Sequence, residues 1–248
     1  MRDTTDDIRR RHVIYRLILW NIDLTLVDVA RVSRDAYAEA FRRVTGRPLV
    51  ALPKLAGASD SEIFFESLAL NEALPRSAHT DENDLLARYA TELAAAFGAR
   101  SEQLATHGRP MPGAREALAA VSRLPGAIQT VITGSIKQNA AHKLQAFGLD
   151  KYLDLGIGGY GSDVYPKGTQ ILRSLAMAAE KYSVQLTPGH AIYVADSVRD
   201  AAAAKVADVR CLGVATGRST ISELRDAGAD PVLADLADTS RVVAAISR

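Results

Sequence analysis

Five short apolar runs, too brief for buried helices and too continuous for half-exposed strands, set the limits on what this chain can fold into. They occupy residues 15–20, 128–132, 154–157, 191–194 and 209–214, and each is followed by polar or small residues. Runs of this kind read as strands covered on both faces, the habit of parallel sheets. The third is the weakest and depends on its neighbours. Helical patterns at 113–124, 136–147, 168–182 and 198–206 separate the last four. Pro112 supplies a helix start and Gly148 a stop. Strands alternating with helices of this length predict βαβ units and a doubly wound, Rossmann-like α/β fold.

The rhythm breaks after the first strand. Between residues 20 and 128 no good strand occurs, while 32–45, 60–70 and 81–97 carry amphipathic helical periodicity. Pro53, Gly57, Pro75 and Gly98 punctuate them. The expected organisation is a core domain of residues 13–28 and 108–248 with a helical cap domain of 29–107 inserted into it. The chain would return at 109–113, Arg-Pro-Met-Pro-Gly, where two prolines stiffen it.

Bulk composition narrows the function classes. A length of 248 residues, 48% of them hydrophobic, allows a sizeable core. A net charge of +1 offers neither a basic field for nucleic acid nor one for a membrane surface. The single cysteine, Cys211, lies in an apolar strand and reads as a small buried hydrophobe. The five histidines show no ligand spacing. Residues 1–12 carry both signs of charge without an apolar core, so they read as a loose tail and not a secretory signal. The expectation is a cytoplasmic monomer or homodimer that binds neither nucleic acid nor membrane.

Ligands of open α/β sheets bind beyond the carboxyl ends of the strands. The residues found there are Asn21, Asp23 and Thr25 after the first strand and Thr133, Gly134 and Ser135 after the second. Lys167 follows the third, and Asp196 and Asp200 follow the fourth. Four strand ends thus bring an amide, carboxylates, hydroxyls and an ammonium to one rim. That set suits phosphoryl transfer, which needs a metal on phosphate oxygens, donors for the others, and an acid/base beside the nucleophile. Asp196 and Asp200, four apart at a strand-to-helix turn, suit a hard cation such as Mg²⁺. Thr133 and the Gly134 N–H suit a phosphate oxygen, and Lys167 supplies a point charge.

Taken singly, these residues have ordinary readings. Asp23 could cap a helix, Asp196 and Asp200 could complement a helix dipole, and Lys167 could be a solvated lysine with Lys137 serving instead. Together, and in order, they resemble the haloacid dehalogenase superfamily, in its phosphoglycolate-phosphatase-like branch with a helical cap. The first motif of that family, Asp-x-Asp-x-Thr-Leu after a strand, reads here Asn21-Ile22-Asp23-Leu24-Thr25-Leu26. The second reads Val131-Ile132-Thr133-Gly134, the third Tyr165-Pro166-Lys167, and the fourth Ala195-Asp196-Ser197-Val198-Arg199-Asp200. The likeness runs from Leu17 to Leu236.

The resemblance implies roles. Position 21 is normally the aspartate nucleophile. Asp23 would be the acid/base and give Mg²⁺ its backbone carbonyl. Thr133, with Gly134, would bind the phosphoryl group of a small phosphorylated substrate, and Lys167 would tie it to the nucleophile. Asn21 and Asp196 would ligate Mg²⁺, with Asp200 as a further ligand or support. Asn21 is the serious departure, because an amide cannot form an aspartyl-phosphate. Either the residue was changed to trap substrate or the chain diverged into a non-catalytic binder of a phosphorylated ligand or partner. Asp28 sits too far along to replace it. Lys54 reads as a surface residue. Ala195 stands where Gly is usual, and Asp208, also at a usual Gly, tolerates the left-handed conformation better than most residues, so a turn there is feasible.

Overall fold

The computed structural model describes residues 14–74, 82–162 and 166–248. The expected tail, Pro75, the first residue of the predicted helix at 81 and Tyr165 fall outside them. Five parallel strands form one sheet: β1 (Arg16–Trp20), β4 (Ala127–Val131), β5 (Ala191–Ala195), β6 (Arg210–Val214) and β7 (Val232–Leu233), in the order β4-β1-β5-β6-β7. The register aligns Trp20 with Val131 and Val194, so the neighbouring strands β4, β1 and β5 end level.

Residue alternation explains why these runs are mostly apolar. Ile18 and Trp20 of β1 face one core, while Leu17 and Leu19 face another. Helices α5 (Ala114–Val121), α6 (Lys137–Gln145) and α10 (Thr239–Ser247) cover the first face. Helices α7 (Lys167–Tyr182), α8 (Val198–Val206) and α9 (Ile221–Asp226) cover the second. This is the doubly wound arrangement expected from the sequence. Trp20 is core packing, its indole N–H donating to Gln129 at 3.1 Å. Cys211 is buried, and burial pushes its thiol up to about 12, in keeping with an inert residue.

The run 154–157 is not a strand. Gly156, Gly158 and Gly159 let it curl along the edge of β4, where the Asp154 N–H donates to the Gln129 carbonyl and Gly159 bridges Ile132. It therefore covers the sheet edge without extending it. The short β7, which carries little apolar signal of its own, takes the place of a fifth strand at the opposite edge.

Helices α1 (Ala30–Thr45), α2 (Asp60–Leu70), α3 (Glu82–Gly98) and α4 (Ser101–His107) lie between the first strand and α5. A two-residue antiparallel ribbon, β2 (Val27–Asp28) with β3 (Arg109–Pro110), carries the chain out and back. Asp28 is occupied there by Arg109 at 3.1 Å. Phe64 stacks on Tyr89 with centroids 4.0 Å apart. Ser59 and Glu62 form a capping box that fixes the start of α2. Among the described residues no helix is long and apolar enough to cross a membrane.

Asp208 takes φ 55°, the left-handed turn that its residue type tolerates. Glycine holds that conformation without a Cβ penalty, so Asp208→Gly is expected to stabilise the protein by about 0.5–1 kcal/mol, whereas Asp208→Val should destabilise it. Urea unfolding of the three proteins checks both signs.

Candidate functional site

The level strand ends place Asn21, Thr133 and Asp196 side by side. Asp196 is 3% exposed, and no described cation is bonded to it. Its Oδ1 accepts from Thr25 Oγ1 at 2.8 Å and from Asn21 Nδ2 at 2.9 Å. The Asn21 amide also donates to the Asp23 carbonyl at 3.1 Å. The amide orientation is fixed by these partners, since both are acceptors. Burial, reinforced by the neighbouring Asp200 charge, pushes the Asp196 carboxyl up to about 7. The turn that sets Asn21 and Asp23 forces Leu24 into the left-handed region at φ 60°.

Asp23 is held from a direction that the sequence did not disclose. Lys143 of α6, its side chain 1% exposed, donates to both carboxylate oxygens at 2.8 Å. The same ammonium reaches Ser135 Oγ at 2.8 Å, and Ser135 lies 3.2 Å from Asp23 Oδ2. The Phe97 ring of α3, 5.4 Å away, walls off the ammonium. Asp23 itself keeps 43% of its side chain exposed, so it is oriented but open. The alternative lysine, Lys137, sits over Tyr160 away from this set.

Asp200 is fully buried behind the rim. Lys167 donates to its Oδ1, Ser197 Oγ bonds its Oδ2, and the Tyr193 hydroxyl lies 3.0 Å from Oδ1. Lys167 remains on the cavity wall while Asp200 does not. Thr133 is buried, its Oγ1 accepting from the Ser135 N–H at 3.1 Å. With Gly134 and Lys167 it lines a second, more open cleft.

The site cavity has a volume of about 100 Å³ and is walled by Asn21, Asp23, Gly134, Ser135, Lys167 and Asp196 on the sheet side. The opposite wall comes from α1 and residues 55–60. Asp60 ties the walls together: its N–H donates to Gly134, its Oδ2 accepts from the Ile136 N–H at 2.8 Å, and its Oδ1 accepts from Tyr37 at 2.7 Å. Burial raises the Asp60 pKa. Arg199 pairs with Glu62 across the same seam at 2.6 Å. A Cβ on Gly134 would lie 2.0 Å from the Ala58 carbonyl, so only glycine permits this approach. Lys54 is exposed and faces a different groove.

The residues matched by the family described as haloacid dehalogenase-like hydrolase are 18–205. The chain belongs to the haloacid dehalogenase-like hydrolase family. Solved relatives share the fold. A hydrolase from Pseudomonas syringae is 20% identical with a TM-score of 0.63, covering 93% of this chain and 97% of its own. A structure titled as a predicted phosphoglycolate phosphatase from Haemophilus somnus is 19% identical with a TM-score of 0.61, covering 94% and 99%. A family IA, variant 3 hydrolase of the same superfamily from Entamoeba histolytica is 17% identical with a TM-score of 0.67, covering 94% and 100%. No curated protein matches the chain.

Two outcomes are expected from the electrostatics. Asp23→Asn strands the buried Lys143 ammonium and should cost about 3 kcal/mol. Lys143→Met only returns a half-exposed carboxylate to water and should cost less; chemical denaturation of both variants measures the order. The second concerns pH. Asp196 holds its proton more tightly folded than unfolded, so in metal-free buffer stability should fall as pH rises from about 4 to about 7. Asp196→Asn should shrink that slope to the part contributed by Asp60, as read from melting temperatures across the range.

Proposed function

We propose that this chain carries the site of a Mg²⁺-dependent phosphatase acting on a small phosphomonoester, with hydrolysis suppressed because Asn21 stands at the nucleophile position. The observation that carries the reading is the Asn21 amide donating to Asp196 and to the Asp23 carbonyl, with Asp23 held open beside it by Lys143. An abandoned site would have no need of that oriented, solvent-facing acid.

The donor set fits a hard cation once the Asn21 amide turns. Its Oδ1, the Asp23 carbonyl and Asp196 Oδ1 would then be the oxygens that hold it. Asp200, engaged by Lys167, Ser197 and Tyr193, supports Asp196 from behind and is not itself exposed to the cavity. When bound, Mg²⁺ would neutralise phosphate oxygens and steady the group for in-line attack. Among the described residues no group of three acidic, His or Cys side chains gathers at one point.

The protein's own groups divide the remaining work. Thr133, the Gly134 N–H and Lys167 bind the phosphoryl oxygens. Asp23 gives a proton to the leaving oxygen and later takes one from water. Lys143 and Ser135 keep its carboxylate aimed. The wall formed by α1 and residues 55–60 acts as a cap that limits the size of the leaving group and excludes water. Asn21 lacks the anionic oxygen needed to attack phosphorus, so turnover should fall by several orders of magnitude relative to an aspartate.

Asn21→Asp should therefore gain Mg²⁺-dependent hydrolysis of p-nitrophenyl phosphate, at least about 1,000-fold above the parent chain. Adding Asp23→Asn to that variant should abolish the gain. Equal, negligible rates for the parent chain and Asn21→Asp would favour the second reading, a non-catalytic binder of a phosphorylated ligand.

A further inference from the structure

One hydroxyl of the cavity wall is set up differently from the rest. Ser135 follows Thr133 and Gly134 at the end of β4 and lines the cavity with Asn21 and Asp23. Its backbone is pinned on both sides. The N–H donates to Thr133 Oγ1 at 3.1 Å, and the carbonyl accepts from the Gly161 N–H at 2.8 Å. The Lys143 ammonium donates to Ser135 Oγ at 2.8 Å, and Ser135 Oγ donates to Asp23 Oδ2 at 3.2 Å. A hydroxyl has one proton and two lone pairs. Here the proton is aimed at a carboxylate and one lone pair at a cation, which leaves the second lone pair for an electrophile. A base beside the proton and a cation to steady the forming alkoxide are what a serine needs to act as a nucleophile.

The other hydroxyls near the site lack that environment. Ser33 lines the same cavity, but its Oγ is buried without a partner among the described residues, so no base takes its proton. Tyr37 lines the cavity too and donates to Asp60 at 2.7 Å. Burial, reinforced by the Asp60 charge, holds its phenol well above the ordinary range, so it resists ionising. Thr25 is bonded to Asp196 and Ser197 to Asp200, and Thr133 Oγ1 accepts from the Ser135 N–H; none of the three lines this cavity. Ser135 is thus the hydroxyl that faces both the cavity and the acid/base pair of Asp23 and Lys143.

We propose that Ser135 is a phosphoryl acceptor, so that this chain takes the phosphoryl group of a monoester onto its own serine. In that step the bond from Ser135 Oγ to phosphorus forms as the ester oxygen–phosphorus bond breaks. The Ser135 proton passes to Asp23 and from Asp23 to the leaving oxygen, while Lys143 stabilises Oγ as it loses the proton. The product, a phosphoserine, is itself an alkyl monoester. An alkoxide leaves phosphorus far less readily than the carboxylate of an aspartyl-phosphate, so the adduct accumulates instead of turning over. The inference rests on the phosphoryl-site reading above and adds a covalent outcome to a chain without the aspartate nucleophile.

Incubating the intact parent chain with p-nitrophenyl phosphate in Mg²⁺ buffer tests it. An aryl phosphate serves as the donor because its transfer to an alkyl hydroxyl runs downhill. Absorbance should show a burst approaching one equivalent of p-nitrophenolate per chain, and the intact mass should rise by one phosphoryl group. Peptide mapping should place that group on Ser135. Ser135→Ala should remove both burst and label, whereas Ser33→Ala should keep them. Lys143→Met should slow the burst by about 100-fold or more. Melting curves confirm that the variants are folded, and calorimetry with inorganic phosphate reports on the phosphoryl site without any reaction. A label on another residue, a burst that persists in Ser135→Ala or is untouched by Lys143→Met, or no label while phosphate binds overturns the acceptor and leaves the phosphoryl site standing. If inorganic phosphate does not bind, the phosphoryl site fails and the acceptor with it.

Discussion

A carboxylate buried at the end of a parallel sheet must be answered by something, and in this protein the answer is an amide. Asp196 lies where β1, β4 and β5 finish level, almost wholly out of water. Thr25 and Asn21 give it two hydrogen bonds, and among the described residues no ammonium or guanidinium touches it. Asn21 therefore takes up, with one NH₂ group, the two oxygens on which a cation would be expected to converge. Burial still drives the carboxyl up to about 7, so hydrogen bonds offset only part of the lost hydration. The site is built around a charge deficit that neutral donors reduce without removing.

The surrounding acids are treated differently, and the contrast separates their roles. Asp23 has a buried lysine locked to both its oxygens and stays open to the cavity. Asp200 is sealed among Lys167, Ser197 and Tyr193 and acts through what it holds in place. Asp60 joins the helical wall to the sheet side through Gly134 and Ile136, which couples cavity shape to the strand end carrying Thr133.

Much of this was legible in the chain, for physical reasons. Both faces of β1, β4, β5 and β6 are covered, so the sequence shows mostly apolar runs there, with Gln129 and Thr130 of β4 buried on backbone hydrogen bonds. The helices α2 and α8 carry clear caps and fall on the predicted residues. The family likeness pointed to Asn21, Asp23, Thr133, Gly134, Lys167, Asp196 and Asp200, and the fold brings all of them to one rim except Asp200, which it buries behind that rim. Lys143 was not legible. It sits in an ordinary amphipathic pattern, and its partner Asp23 is 120 residues away, so nothing local distinguishes it from a solvated lysine. The run 154–157 misled because apolar composition says nothing of the glycines that curl it.

The Asn21 amide donates to the two oxygens that a cation would need, so it competes with Mg²⁺ for them. The most direct measurement is the shift in melting temperature on adding Mg²⁺, compared between this chain and Asn21→Asp. A second carboxylate beside Asp196 should create strong binding, so the variant should lose stability in chelator and regain it with Mg²⁺, while the parent chain shifts little. Equal Mg²⁺ shifts in the two proteins would contradict the account.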